Sequence, residues 1–147
     1  MIFIKNITIH ALSLLYIIVG VKHFMDVEYF MAIIPNYISW KEEAVFISGF
    51  FEILLGILLL FHKTRKLAAW GIILLLIAVF PANIYLYVSE IPRDILNISK
   101  SDALIRMPFQ IPLIIISYWH SKKTSSKIFS YTCISIFIPT IIYFTCI

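Results

Sequence analysis

Five long apolar runs, each bounded by charged residues, govern what this chain can become. They cover residues 7–21, 44–61, 67–88, 103–119 and 128–147. Each approaches the roughly 20 residues that carry a helix across about 30 Å of hydrocarbon. The first is the shortest, but Lys5 and Lys22 stand at its ends, where long side chains can snorkel to the interface. Lipid offers the backbone no hydrogen-bond partner, so helix is the expected secondary structure. The runs also lack the strict alternation of a membrane-barrel strand. Composition agrees: 61% of residues are hydrophobic and 14% charged, against about 25% charged in a soluble domain. The mean hydropathy is +0.96. A soluble fold of this length has too little interior for so much apolar surface. The expectation is an all-α bundle of four or five transmembrane helices. Gly20-Val21-Lys22-His23 makes a poor signal-peptidase site, so the first run is expected to stay as a span.

Charge predicts the orientation. Lys5, Lys63, Arg65, Lys66, Lys122, Lys123 and Lys127 fall on one side, with no acidic residue among them. Asp26, Glu28, Glu42, Glu43, Glu90, Asp94 and Asp102 fall on the other. The positive-inside rule then places the N-terminus in the cytoplasm of a multi-pass protein of the cell membrane, with the acidic loops outside. The net charge of +4 is a topology signal. It is spread over short loops with no aromatic-interleaved basic patch, so no nucleic-acid partner is expected.

The first outer loop, residues 24–40, is rich in Phe, Tyr, Met and Ile. Asp26 is placed to cap a short helix ending before Pro35. Tyr29, Phe30, Tyr37 and Trp40 suit the headgroup zone, so the loop is either interfacial packing or a lid over the bundle. The second outer loop, residues 89–102, is polar and charged and is expected to be mobile.

Four spans carry polar residues into the outer half of the membrane. Glu52 lies about eight residues, or roughly 12 Å, below the outer end of the second span. A lone carboxylate there is costly, so it should be neutral or paired. Ser48, Gly49, Glu52 and Gly56 share one helix face, and small residues there suit close helix packing. Arg106, Gln110 and Ser117 form a stripe on the fourth span, with Gln110 near the depth of Glu52. Tyr16, Gly20 and His23 share a face of the first span. Pro81 is expected to break the backbone pattern of the third just before Asn83. The predicted cluster is thus His23, Ser48, Glu52, Asn83, Arg106 and Gln110, with a Glu52–Arg106 pair at its centre and both amides completing the hydrogen bonds. It reads either as a binding cavity or as a set of packing contacts.

The chain also resembles the DoxX-like family of small membrane proteins. The matching stretches, in order, are Gly20-Val21-Lys22-His23-Phe24, Pro35, Ser48-Gly49-Phe50-Phe51-Glu52-Ile53-Leu54-Leu55-Gly56, Thr64-Arg65-Lys66-Leu67-Ala68-Ala69-Trp70-Gly71, Phe80-Pro81-Ala82-Asn83-Ile84-Tyr85 and Arg106-Met107-Pro108-Phe109-Gln110. The resemblance implies four core transmembrane helices over residues 1–123, and kinship with subunits and relatives of quinone-linked oxidoreductases and, more broadly, with certain receptor-assembly chaperones; most members of the family have no assigned reaction. Residues 124–147 depart from that pattern as an extra C-terminal hydrophobic helix, expected to span beside the bundle yet to be dispensable to it.

No phosphate-cradling glycine loop, catalytic triad, metal-ligand spacing or Cys-x-x-Cys pair is evident. His10, His62 and His120 belong to the inner half, apart from His23. Cys133 and Cys146 lie about 20 Å apart on one helix, too far to bridge. No haem, flavin or iron–sulfur site is evident, and a quinone is the one cofactor the pattern leaves open. Two function classes stand. One is a non-catalytic accessory subunit or assembly factor for another membrane protein or an oxidoreductase subunit, and not an enzyme on its own. The other is a redox component binding a quinone or similar amphiphile, with Glu52 exchanging a proton and Arg106 tuning it.

Overall fold

The computed structural model describes residues 2–146, except the side chain of Cys146, so the Cys133–Cys146 reading falls partly outside the described residues. The chain forms seven helices: α1 Ile2–Met25, α2 Val27–Ala32, α3 Lys41–Leu60, α4 Arg65–Val88, α5 Glu90–Leu96, α6 Lys100–Ser121 and α7 Lys127–Cys146. Helices α1, α3, α4 and α7 are long and apolar enough to cross a membrane. The fourth apolar run, inside α6, falls short of that measure because Arg106, Gln110 and the polar first turn share it. Its Leu104, Ile105 and Ile111 nevertheless point outward.

The five long helices close into a ring. Helix α1 lies along α3, α3 against α4, α4 along α6, and α7 packs on both α6 and α1. The closest approach is α1 to α3, and glycine makes it. A Cβ at Gly20 would stand 2.7 Å from the carbonyl oxygen of Gly49, and one at Gly49 would stand 2.6 Å from the Cβ of His23. In lipid, where no hydrophobic force drives helices together, such backbone contact and interhelical hydrogen bonds would carry the association. Ser13 supplies one, donating to the Gly56 carbonyl at 2.6 Å. The dry core fills the half of the ring nearer the start of α1. Ile9, Leu12, Leu59, Ile72, Ile116 and Phe137 meet there. Large aliphatic and aromatic side chains, among them Leu14, Ile47, Leu74, Ile77 and Ile138, cover the outside.

That core half is also the basic end. Arg65 donates to the carbonyls of Leu59 and Leu60, and Lys5 to that of Lys122 at 2.7 Å. Cations thereby satisfy the orphan carbonyls at the ends of α3 and α6. Thr8 and His120 pair at 3.0 Å one turn deeper.

Three expectations change. Pro81 does not break α4, which runs unbroken to Val88; proline removes one donor, and packing holds the turn together. The loop over residues 89–102 is not a plain mobile linker, because α5 occupies it. Buried Arg93 donates to the Leu86 and Tyr87 carbonyls at the end of α4. Asn97 ends α5 in the left-handed conformation, a common helix stop. Asp26 does precede α2, but its side chain makes no capping bond. Helix α7 is part of the ring: Cys133 and Thr140 are buried and Phe137 joins the core.

Candidate functional site

Bordering the core, towards the end of the ring that α2 covers, lies a cavity of about 160 Å³. Its walls are apolar, formed by residues such as Leu75, Leu76 and Val79 of α4, Leu113 of α6 and Phe144 of α7. Polar groups reach it from four long helices: Tyr16 from α1, Glu52 from α3, Asn83 from α4, and Arg106 and Gln110 from α6. Helix α2 covers it with Tyr29 and Phe30, followed by Ile33. The loop over residues 24–40 is therefore folded over the bundle.

Glu52 is buried, and its partner is His23. The two lie 3.1 Å apart, Nδ1 to Oε2. The same Nδ1 is 2.9 Å from the Val19 carbonyl. One ring nitrogen thus stands between two acceptors, and its single proton satisfies the carbonyl in the better geometry. Glu52 Oε2 is left without a well-aligned hydrogen bond among the described residues. Phe30 stacks on the His23 ring, centroids 3.6 Å apart, and holds the imidazole in place. The Tyr16 hydroxyl is also buried without a partner. Buried polar atoms are rarely left so, and two of them on one cavity mark it as a place where a polar group or water belongs.

The expected Glu52–Arg106 pair does not form: among the described residues Glu52 meets His23 instead. The Arg106 guanidinium donates to the Tyr29 hydroxyl at 3.2 Å. The cause is ring order. Helix α3 packs on α1 and α4, so its inward carboxylate meets the α1 histidine that the Gly20–Gly49 contact brings close. Arg106 faces the same cavity from α6, near the α2 cover. Asn83 and Gln110 line the cavity but hydrogen-bond to neither charge among the described residues. Ser48 lies elsewhere, its hydroxyl turned back to the Val45 carbonyl at 2.9 Å. Of the six predicted residues, four line the cavity, His23 braces it, and Ser48 is a helix-bound hydroxyl. Tyr29 and Phe30 belong to the loop read as either interfacial packing or a lid, and Phe144 was not foreseen at the site. The Tyr16, Gly20, His23 face opposite Gly49 and Glu52 was the signal for the true pair.

The arrangement can hold a compact polar head. It offers an acceptor at Glu52, donors at Arg106 and both amides, and a hydroxyl at Tyr16, with apolar walls for attached carbon. A cavity of about this volume holds one six-membered ring. Among the described residues no three metal-ligating side chains gather.

Comparison with curated proteins and with solved structures returned no match. A family of proteins matches residues 12–121, from the middle of α1 to the end of α6, including every polar residue of the cavity but not α7. Since that is well over half of the chain, the protein belongs to the family described as a domain of unknown function (DUF8561).

Proposed function

We propose that this chain is a multi-pass protein of the cell membrane, with its N-terminus in the cytoplasm, that binds the polar head of a membrane amphiphile in the cavity. The observation that carries the reading is the placing beside apolar walls of two buried polar atoms, Glu52 Oε2 and Tyr16 OH, that lack a well-aligned hydrogen bond among the described residues. Soluble polar ligands need no such walls, and lipid tails need no such acceptors. The ordered motifs that resemble DoxX-like proteins support a shared membrane bundle and a ring-headed ligand of the quinone class. The helices exposing apolar side chains all round support the membrane.

The chain's own part is binding and placement. His23 and Phe30 fix the carboxylate; Arg106, steadied by Tyr29, presents donors beside the α2 cover. The accessory-subunit reading is supported by the exposed aromatic Tyr37 and Trp40 at the outer end, which offer a surface to a partner. The test is gentle detergent purification followed by mass spectrometry of extracted amphiphiles. The wild-type protein should carry one species in near-stoichiometric amount. Val79→Trp, which fills the cavity, should lose it while remaining folded. Equal retention by Val79→Trp would remove the cavity from consideration.

A further inference from the structure

A second concave feature lies on the outside of the bundle, at the basic end. It is an apolar groove of about 250 Å³, lined by Trp70 and Ile73 of α4, Ile114, Ile115 and Tyr118 of α6, and Phe129 of α7. The Tyr118 ring meets Trp70 at 6.0 Å and Phe129 at 6.2 Å, both edge-on, so the three aromatics form one wall. A cation stands at its rim: Lys122 Nζ is 4.7 Å from the centre of the Tyr118 ring. Lys66 is one helical turn before Trp70 on the same face of α4.

Not every cation at this end is free for such a role. Arg65 and Lys5 are turned onto helix carbonyls. Lys63, Lys66, Lys122, Lys123 and Lys127 are exposed. Among the described residues none of these five faces a carboxylate, and residues 61–66 and 121–127 contain no acidic side chain. The groove therefore has an apolar floor, an aromatic wall and a rim of uncompensated lysines.

We propose that this groove is an anionic phospholipid site, with an acyl chain along Ile73, Ile114 and Ile115 and the phosphate at Lys66 and Lys122. The charge on the rim selects the occupant. A second copy packed symmetrically on this face would set the same lysines against themselves. A choline lipid would fill the floor but bring its own cation to the rim. A free phosphate has no use for the floor. Basic pockets between helices at a membrane surface hold anionic headgroups by this combination. The proposal rests on the membrane reading but not on the cavity ligand.

The test uses the full chain reconstituted in phosphatidylcholine vesicles, with flotation establishing insertion first. Small amounts of phosphatidylglycerol or phosphatidylcholine with brominated acyl chains are added, and Trp70 fluorescence is read as the signal lost in Trp70→Phe. Brominated phosphatidylglycerol should quench with a preference of roughly fivefold or more, the attraction of about one lysine. Lys66→Gln with Lys122→Gln should bring the preference close to one without loss of helix by circular dichroism. Lys63→Gln with Lys123→Gln should keep most of it. Equal quenching by the two lipids in the wild-type protein would overturn the site. So would an equal loss of preference in the two double variants, since that is the signature of diffuse surface charge. Failure to float would instead remove the membrane reading beneath both proposals.

Discussion

The imidazole of His23 reaches Glu52 because two residues without side chains, Gly20 and Gly49, let α1 and α3 touch backbone to backbone. The pair and the contact should therefore fail together. In Gly49→Ala the new methyl would stand 2.6 Å from the His23 Cβ, a backbone-anchored atom that cannot swing aside. The helices must separate, at a cost of about 1–3 kcal/mol typical of overpacking. The cavity should lose its ligand in the same variant, read by the extracted-amphiphile assay. The pair itself predicts coupling. Glu52→Gln and His23→Gln should each destabilise by about 1–3 kcal/mol, the range for stranding a buried polar group beside a cavity that admits water. The double change should be milder than the sum by about 0.5–3 kcal/mol. Equilibrium unfolding in mixed micelles measures both. The same cycle on Glu52 and Arg106 should give a smaller coupling; if it were the larger, the assignment of His23 would be wrong. Depth along each helix can be counted in a sequence, and that sufficed to bring Glu52, Asn83, Arg106 and Gln110 to one level. Which helix neighbours which cannot be counted that way. The choice between histidine and arginine as partner depended on ring order, and hence on the glycine contact.

Among the elements, α6 and α7 depart most from their hydropathy. Helix α6 is the least apolar of the long helices because it turns Arg106 and Gln110 to the cavity and His120 to Thr8, all along one inward stripe. Helix α7 is long and apolar, with most of its serine and threonine hydroxyls turned back onto its own carbonyls, yet it is no bystander. Phe137 enters the core, Phe144 walls the cavity, and Tyr143 stacks on Phe109 at 3.9 Å. The family match stops before it, and the contacts of α1 with α3 and of α4 with α6 do not pass through it. Truncation after Lys123 should thus leave an inserted, monodisperse bundle, judged by size-exclusion chromatography. Its melting temperature should fall by about 5 °C or more as a buried aromatic is lost, and the cavity, missing its Phe144 wall, should no longer retain ligand. An unchanged melting temperature would mean that α7 only leans on the ring. The long helices were legible from runs of apolar residues because length and hydropathy are local properties. Of the short helices, α2 was expected between Asp26 and Pro35, and α5 was not. Their stability comes from contacts with each other and with the ring, such as Arg93 on the end of α4, and such contacts leave no periodic trace.

Across the whole molecule, structure and charge are divided along one axis. The dry core and the basic loops share one end; the cavity, the short helices and the acidic loops share the other. Contacts at the basic end bind the three clusters of cations into one face: Lys5 reaches the turn after α6, and Arg65 closes the turn before α4. A face with so many lysines and no carboxylate is costly to move across a bilayer, so it should remain where synthesis leaves it, in the cytoplasm. At the other end acidic residues outnumber basic ones, and Arg93 is held by helix carbonyls, so that end is the one expected to cross. Cysteine accessibility tests this directly. In a background with Cys133→Ala and Cys146→Ser, Ser99→Cys should react with an impermeant maleimide added to intact cells. Lys63→Cys, exposed in the turn between α3 and α4, should react only after the cells are opened. Ser99 caps α6 by accepting from the Asp102 amide, so its replacement loosens that end by about 1 kcal/mol but leaves it on the same side. Labelling of Lys63→Cys in intact cells, with Ser99→Cys protected, would invert the molecule. It would then place the cavity towards the cytoplasm and the lysine-rimmed groove in the outer leaflet.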